Sequence, residues 1–279
     1  MSNRTNYHSH CSFCDGRYSM EDFIKAAIEE GFTSYGVSSH APLPFHTHWT
    51  MDAEDMPAYL SEFARLKKIY GSQIELYVGL EIDYLDEAHH PANAYFSSLP
   101  LDYRIGSVHM LSGVDGEIVE IDCSRETFKE RLHANFASDL EAVLRNYYRI
   151  QLRMLELGGF EILGHCDKLN SRAEFCRPGI LQESWFVELM NHFLDTVADS
   201  GVMVEVNTKK YLADGFFFPH SDYFTELHRR NIPVLVNSDA HYIQKLNDGR
   251  PQALRLLYEA GYRTVRECHA GEWIEVPIV

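Results

Sequence analysis

The chain has 279 residues, 45% of them hydrophobic and 24% charged, and 25 basic against 41 acidic side chains leave a net charge of −16. That balance opposes a nucleic-acid partner, which needs a positive footprint facing phosphates, and no apolar run reaches the ~18 residues that span a bilayer. Six sparse cysteines and an N-terminus without an apolar signal segment predict a reduced, cytoplasmic protein, and the length suits one α/β domain.

A first β-rich run is predicted at Arg4–His8. Ser19-x-x-Asp22 reads as an acidic capping box opening a helix to Glu30, with Gly31 as its stop. A second strand follows at Tyr35–Ser39. Tyr59, Phe63, Leu66 and Ile69 recur at helical spacing over Met56–Tyr70, ended by Gly71. Strands are predicted at Ile74–Ile82 and Tyr103–His109, and Glu117–Asp122, after Asp115-Gly116, reads as a hairpin arm. Ser138-x-x-Glu141 opens a helix carrying Leu144, Tyr147, Gln151 and Leu155 as far as Gly158-Gly159. After a strand at Glu161–His165, Trp185, Leu189, Phe193 and Val197 mark a helix ended by Gly201. The last strands are Val202–Asn207 and Pro233–Ser238, and Pro251 begins a helix running to Gly261. Seven strands alternating with helices predict a mostly parallel sheet, open or closed.

Ligand-type side chains fall at the strand ends. His8 and His10 follow the first strand, His40 the second, and Glu81 ends the third. His109, His165 and Asn207 end the next three, and Asp239 and His241 follow the seventh. In parallel α/β folds all carboxyl ends open on one face, so these residues converge on one mouth. His8-x-His10 and Asp239-x-His241 have spacing two, which puts both members on one side of an extended backbone. Imidazoles and carboxylates without obligatory thiolate suit Zn, Fe or Mn. A carboxylate can bridge two ions and an imidazole cannot, so Glu81, alone among the histidines, is the expected bridge of a multinuclear site. Ions ~3.5–4 Å apart can hold a hydroxide and clamp a phosphoryl group.

Other motifs point elsewhere or nowhere. Cys11-Ser-Phe-Cys14 has no second pair to complete a structural zinc site and lies outside a thioredoxin-like context. Serine-hydrolase, Walker and dinucleotide fingerprints are absent. His192 is expected to be structural, and Phe216-Phe217-Phe218 to pack rather than form a binding platform.

The ordered set His8-Ser-His10, Ser38-Ser39-His40, Gly79-Leu80-Glu81, Gly106-Ser107-Val108-His109, Gly164-His165 and Ser238-Asp239-Ala240-His241 resembles the PHP (polymerase and histidinol phosphatase) superfamily. His40-Ala41-Pro42-Leu43-Pro44 and Cys14-Asp15-Gly16 are similar to its monofunctional histidinol-phosphatase branch. The resemblance covers residues 6 to about 245. It implies a distorted (β/α)7 TIM-like barrel and a single catalytic domain over residues 1–279. It also implies three divalent ions, Zn, Fe or Mn. His8, His10, Glu81 and Asp239 would hold one, Glu81, His109 and His165 a second, and Asp15, His40 and His241 a third. Asn207-Thr208-Lys209-Lys210 departs from the glycine-containing turn, often with arginine, expected there.

The implied activity is hydrolysis of L-histidinol phosphate in histidine biosynthesis, by attack of a metal-bridging hydroxide on phosphorus. The alternative is a PHP nuclease or phosphoesterase acting on nucleotide ends, which the net charge disfavours. Asp239 or His241 is expected to protonate the leaving alkoxide beside the bridging Glu81. Arg17, Lys168 and Lys209 are candidate phosphate contacts. Asp86 and Glu87 are candidate partners for the cationic groups of a small phosphate ester.

Overall fold

Buried strands alternate with amphipathic helices over residues 3–279, which the computed structural model describes. The first half runs β1 (Thr5–Asn6), α1 (Met20–Glu29), β2 (Ser34–Val37), α2 (Met56–Tyr70), β3 (Glu75–Asp83), α3 (Ala94–Ser98) and β4 (Tyr103–Ser107). A hairpin of β5 (Met110–Ser112) and β6 (Ile118–Glu120) precedes α4 (Arg125–Asn135) and α5 (Leu140–Leu157). Then come β7 (Ile162–Leu163), α6 (Asn170–Cys176), α7 (Ser184–Ser200), β8 (Met203–Asn207), α8 (Tyr211–Asp214) and α9 (Phe224–Arg229). The chain ends with β9 (Val234–Asn237), α10 (Arg250–Glu259), β10 (Thr264–His269) and β11 (Glu272–Pro277).

Seven parallel strands lie in the order β1-β2-β3-β4-β7-β8-β9. The sheet curls until β9 meets β1. Just past both strand ends His10 N donates to the Ala240 carbonyl at 2.9 Å, and Ser9 pairs with Ala240 in parallel. Below that bridge two asparagines close the seam. Asn237 Oδ1 accepts from Tyr7 N (2.8 Å) and Asn6 Oδ1 from Ser238 N (2.9 Å). The result is a nearly closed, distorted (β/α)7 TIM-like barrel, as expected. Seam closure by side chains also explains why β1 is two residues long instead of Arg4–His8: its outer backbone groups bond amides rather than a ladder.

Helix faces read from the sequence cover the sheet. Phe23 and Ile24 of α1 and Tyr59, Phe63 and Leu66 of α2 pack with Tyr35, Val37, Leu76 and Val78. Leu144 and Tyr147 of α5 and Phe193 and Val197 of α7 join Leu163, Val204 and Val206. Each such burial contributes roughly 1.5–3 kcal/mol. Inside the barrel Tyr103 reaches across to donate to the Tyr7 carbonyl at 2.6 Å. A Cβ on Gly79 would stand 2.5 Å from its ring, so that position admits only glycine.

The Ser19–Asp22 capping box makes both reciprocal bonds, and Gly201 ends α7 in the left-handed region. The fourth strand stops at Ser107, because the chain turns into the β5–β6 hairpin, where the sequence placed an arm. Helix α5 is capped by Asp139, which accepts from Ala142 N at 2.9 Å, whereas Ser138 sits at φ 60° in the preceding turn. Helices α3, α4, α6, α8 and α9 and the β10–β11 hairpin have no counterpart among the elements expected from the sequence. That hairpin turns at Ala270-Gly271, φ 51° and 83°, the dihedral signs of a type I′ turn. It caps the amino end of the barrel, with Trp273 edge-on to Tyr7 at 4.9 Å.

Candidate metal centre

The carboxyl ends of the strands carry the predicted ligands to one buried cluster. His8 and His10 leave β1, and the chain then folds back so tightly that a Cβ on Gly16 would lie 2.1 Å from the His10 carbonyl oxygen. That return sets Asp15 beside His241, with Oδ1 3.2 Å from its Nε2. His40 sits just past β2, bridged to Glu81 of β3. His165 and Asp239 follow β7 and β9 with φ of 25° and 48°. Such dihedrals are costly for these residues and persist only where the surroundings over-determine them.

Glu81 is completely buried, and its two oxygens divide the imidazoles. Oε1 faces His165 Nε2 (2.7 Å) and His109 Nε2 (3.5 Å) and accepts from the Ser107 hydroxyl. Oε2 faces His40 Nδ1 (2.9 Å), His8 Nε2 (3.2 Å) and His10 Nε2 (3.5 Å). Asp239 Oδ1 lies 3.1 Å from His10 Nε2 and 3.8 Å from His8 Nε2. Ligands bonded to one ion at 2.0–2.1 Å stand roughly 3–3.4 Å apart, which these separations bracket. His8 Nε2, His10 Nε2, His40 Nδ1, Asp15 Oδ1 and Glu81 Oε2 are buried without hydrogen-bond partners. With their neighbours these atoms form four overlapping sets, His8–Glu81–His165, His8–His10–Asp239, His10–Asp15–His40–His241 and His40–Asp83–His109, that fit divalent cations. His10 joins the Asp15 set in space, a proximity the sequence did not indicate.

Electrostatics match that use. Burial opposes ionisation of Glu81 and Asp239, yet His8, His40 and His109 around the first, and Lys209 and His8 around the second, hold both well below the usual carboxylate range. Burial lowers His10, and burial with nearby Lys168 brings His165 down to about 4, leaving neutral imidazoles with free lone pairs. His8 goes the other way: burial is outweighed by Glu205, Glu81 and Asp239, which raise it well above 6.5.

Several functional residues escaped sequence reading. Glu205, buried in β8, accepts from His8 Nδ1 (2.6 Å) and Asn237 Nδ2 (2.9 Å) on Oε1. Its Oε2 accepts from His165 N (3.2 Å) and Asn207 Nδ2 (3.0 Å). Asp83 holds His109 through Nδ1 (3.0 Å) and the backbone N–H (2.8 Å). Carboxylates behind ligating histidines fix the tautomer and the ring orientation. Signals existed: Glu205 interrupts the apolar run Val202–Val206, and Asp83 repeats Glu81 at spacing two. Cys14 Sγ lies 3.6 Å from His10 Nδ1, closer to the centre than the Cys11-x-x-Cys14 spacing implied. Asn207 is an outer residue, donating to Glu205 and Asp239.

Above the cluster two adjoining cavities, about 300 and 220 Å³, share Asp15, Lys209 and His241. Arg17 lines one of them, and His48, Trp49, Glu120 and Asp122 line the other. Lys209 Nζ is 3.1 Å from Asp239 Oδ1, while Lys210 turns away to Asp214, so Lys209 is the cation in the atypical turn. Lys168 is not on either cavity wall. It stands behind Asp122, which it contacts at 2.6 Å while Arg172 holds the other carboxylate oxygen at 2.7 Å. Asp86 and Glu87 do not face the mouth. Asp86 caps a turn at Ala88 and His89, and Glu87 is drawn to Arg153 at 2.8 Å. Glu120, Asp122 and Asp248 border the cavities instead, with Asp122 paired to Lys168 and Arg172 and Glu120 to Arg131. His192 is exposed on α7, and the rings of Phe217 and Phe218 are packed inside while also bordering a separate cavity.

The profile of the PHP domain matches residues 6–209. The chain is 28% identical over 253 residues to the histidinol-phosphatase of Bacillus subtilis, covering 84% of this chain and 92% of that protein. It is 26% identical over 280 residues to a Deinococcus radiodurans protein named "Probable histidinol-phosphatase", covering 96% and 98%. Among solved structures, histidinol phosphate phosphatase from Lactococcus lactis, complexed with zinc, L-histidinol and phosphate, superposes with a TM-score of 0.71. Identity there is 18%, with 98% of this chain and 100% of that chain covered.

Proposed function

The chain belongs to the PHP-domain family, and from that premise we propose that it is a metal-dependent phosphomonoesterase hydrolysing L-histidinol phosphate to L-histidinol and phosphate in histidine biosynthesis. The observation that carries the metal-dependent reading is the division of imidazoles between the two oxygens of Glu81, beside the Asp15–His241 pair. The substrate follows from curated relatives of that name that extend over most of the chain.

His8, His10, Glu81 and Asp239 would hold one ion, Glu81, His109 and His165 a second, and Asp15, His40 and His241 a third, with zinc favoured by the Lactococcus complex. Bound there, divalent ions supply Lewis-acid polarisation of the phosphoryl oxygens and acidify the attacking water. Arg17 and Lys209, on the cavity walls, complement phosphate charge, and Lys168 acts from behind Asp122. Asp239, on the cavity wall beside Lys209, or His241 next to it, would protonate the leaving alkoxide. His241 Nδ1 is held by the Asp239 backbone carbonyl at 3.1 Å. The net charge of −16 disfavours a polynucleotide, so a nuclease is not proposed. Among the described residues no helix is long and apolar enough to cross a membrane. Free cysteines throughout accord with the cytoplasm as the site of action.

Phosphate release from L-histidinol phosphate, measured beside a panel of sugar and nucleotide monophosphates on metal-retaining protein, tests the reading. A kcat/KM for histidinol phosphate at least tenfold above the panel is expected. Equal rates across the panel would remove the assigned substrate.

A further inference from the structure

Buried polar atoms without partners mark the metal centre, and a second group of them lies elsewhere. Asp167 Oδ1, Asn170 Nδ2 and Glu174 Oε2 have no hydrogen-bond partner, and all three residues line one cavity of about 610 Å³. Asp167 and Asn170 are more than nine-tenths buried. Their other atoms are committed, Asp167 Oδ2 to His220 N (2.8 Å) and Asn170 Oδ1 to the Tyr148 hydroxyl (2.8 Å). Glu174 Oε1 accepts from Gly179 N at 2.7 Å. Among the lining residues two carboxyl oxygens therefore remain unpaired, with the Asn170 amide beside Tyr223.

The rest of the wall is aromatic. Phe175, Phe216, Phe218 and Tyr223 line the cavity. Asp167, Glu174 and Asp222 outnumber the single guanidinium there, Arg125, which lies over the Phe216 ring at 5.8 Å. The cavity shares no lining residue with the two above the metal centre. Its size suits a ring-bearing small molecule rather than a water cluster. Aromatic faces, with the Glu174 and Asp222 carboxylates beside them, attract organic cations and disfavour anions such as phosphate.

We infer that this cavity is a second small-molecule site, separate from the metal mouth, for an organic amine carrying an aromatic ring. Asp167 and Glu174 accept from its ammonium group, and the rings of Phe216 and Phe218 flank its body. Asn170 Nδ2 is left to donate to a hydroxyl or carbonyl where the ligand has one. The inference stands apart from the phosphatase assignment, because none of these residues belongs to the metal centre.

The test is calorimetric titration of metal-loaded protein with 2-phenylethylamine and with 2-phenylethanol, which share a body and differ in charge. The amine is expected to bind with unit stoichiometry, and the alcohol at least tenfold more weakly. Asp167→Asn should weaken the amine tenfold or more. Leu181→Trp, which fills the cavity, should abolish binding and leave kcat/KM for phosphate release unchanged. Should Asp167→Asn fail to fold, Leu181→Trp and Phe216→Ala still decide the matter. Equal affinity for amine and alcohol, binding that survives Leu181→Trp, or competitive inhibition of phosphate release by the amine would each overturn the inference.

Discussion

Glu205→Gln is a sharp probe of how the metal centre is held. All four groups facing Glu205 are donors: His8 Nδ1, Asn237 Nδ2, His165 N and Asn207 Nδ2. A glutamine keeps an oxygen toward only two of them and must aim an NH2 at the other two. If its oxygen stays with His8 and Asn237, the amide meets the His165 backbone N–H, which cannot rotate. It also meets Asn207, whose own flip is blocked, since its Nδ2 also donates to Asp239 Oδ2 (3.2 Å) and its Oδ1 accepts from Lys209 N (3.0 Å). Two charge-assisted bonds of about 1.5–3 kcal/mol each are lost, so the deficit is about 3–6 kcal/mol. Part of it falls on folding and part on the ligands that Glu205 orients. Removing such partners lowers metal affinity by roughly 10–100-fold. Elemental analysis after dialysis against a weak chelator should show loss of the ions that depend on His8 and His165, while the ion at Asp15, His40 and His241 stays. Glu205→Leu should do no worse than Glu205→Gln by more than ~1 kcal/mol in chemical denaturation, because the amide is not a rescue. Wild-type metal content in Glu205→Gln would refute the argument that ionised Glu205 sets these ligands.

Further expectations concern the ligands themselves. Glu81→Gln should release more than one metal equivalent and abolish activity, since both oxygens face imidazoles; full metal content by elemental analysis would contradict a bridging role. Asp15→Asn should lose about one equivalent and lower kcat and kcat/KM together, the mark of an interaction made chiefly in the transition state; a rise in KM alone would assign that ion to substrate binding. Cys14→Ser retains an acceptor for His10 Nδ1 and should keep metal and activity near wild type, whereas Cys14→Val should weaken metal retention; equal behaviour would dismiss the thiol contact. In metal-free protein the carboxylates around His8 and His109 raise both imidazoles against burial, so each holds a proton that an ion must displace. Metal loading near pH 7 should therefore release protons, and affinity should climb as pH rises through the raised folded pKa values. The same charged imidazoles add stability to the metal-free form that is complete below the unfolded pKa near 6.5 and lost as pH rises through those folded values. Isothermal titration in buffers of different ionisation enthalpy measures the release, and pH-independent affinity between pH 6 and 8 would contradict it.

The expected ligands His8, His10, His40, Glu81, His109, His165, Asp239 and His241 were legible in the chain because strand direction is a local property, whereas Asp15, in a turn well past β1, came only with the family resemblance. A residue following a β-run in an alternating α/β sequence lies at the carboxyl end whatever the strand order, so those side chains had to share a face. Capping at Ser19 and the stop at Gly201 were readable for the same reason, being settled within a turn of backbone. Which oxygen of Glu81 meets which imidazole could not be read, because it depends on how strands far apart in sequence register across the barrel. The same holds for Glu205 beneath His8, 197 positions away, and for the pairing of Asn6 with Ser238 and Tyr7 with Asn237 that closes the seam. Lys168 and Glu87 show the converse limit. Both lie near the expected mouth in sequence, yet Asp122 and Arg153, distant along the chain, claim their charges. A long side chain goes to its best partner in space, and only the closed barrel decides which partner is within reach.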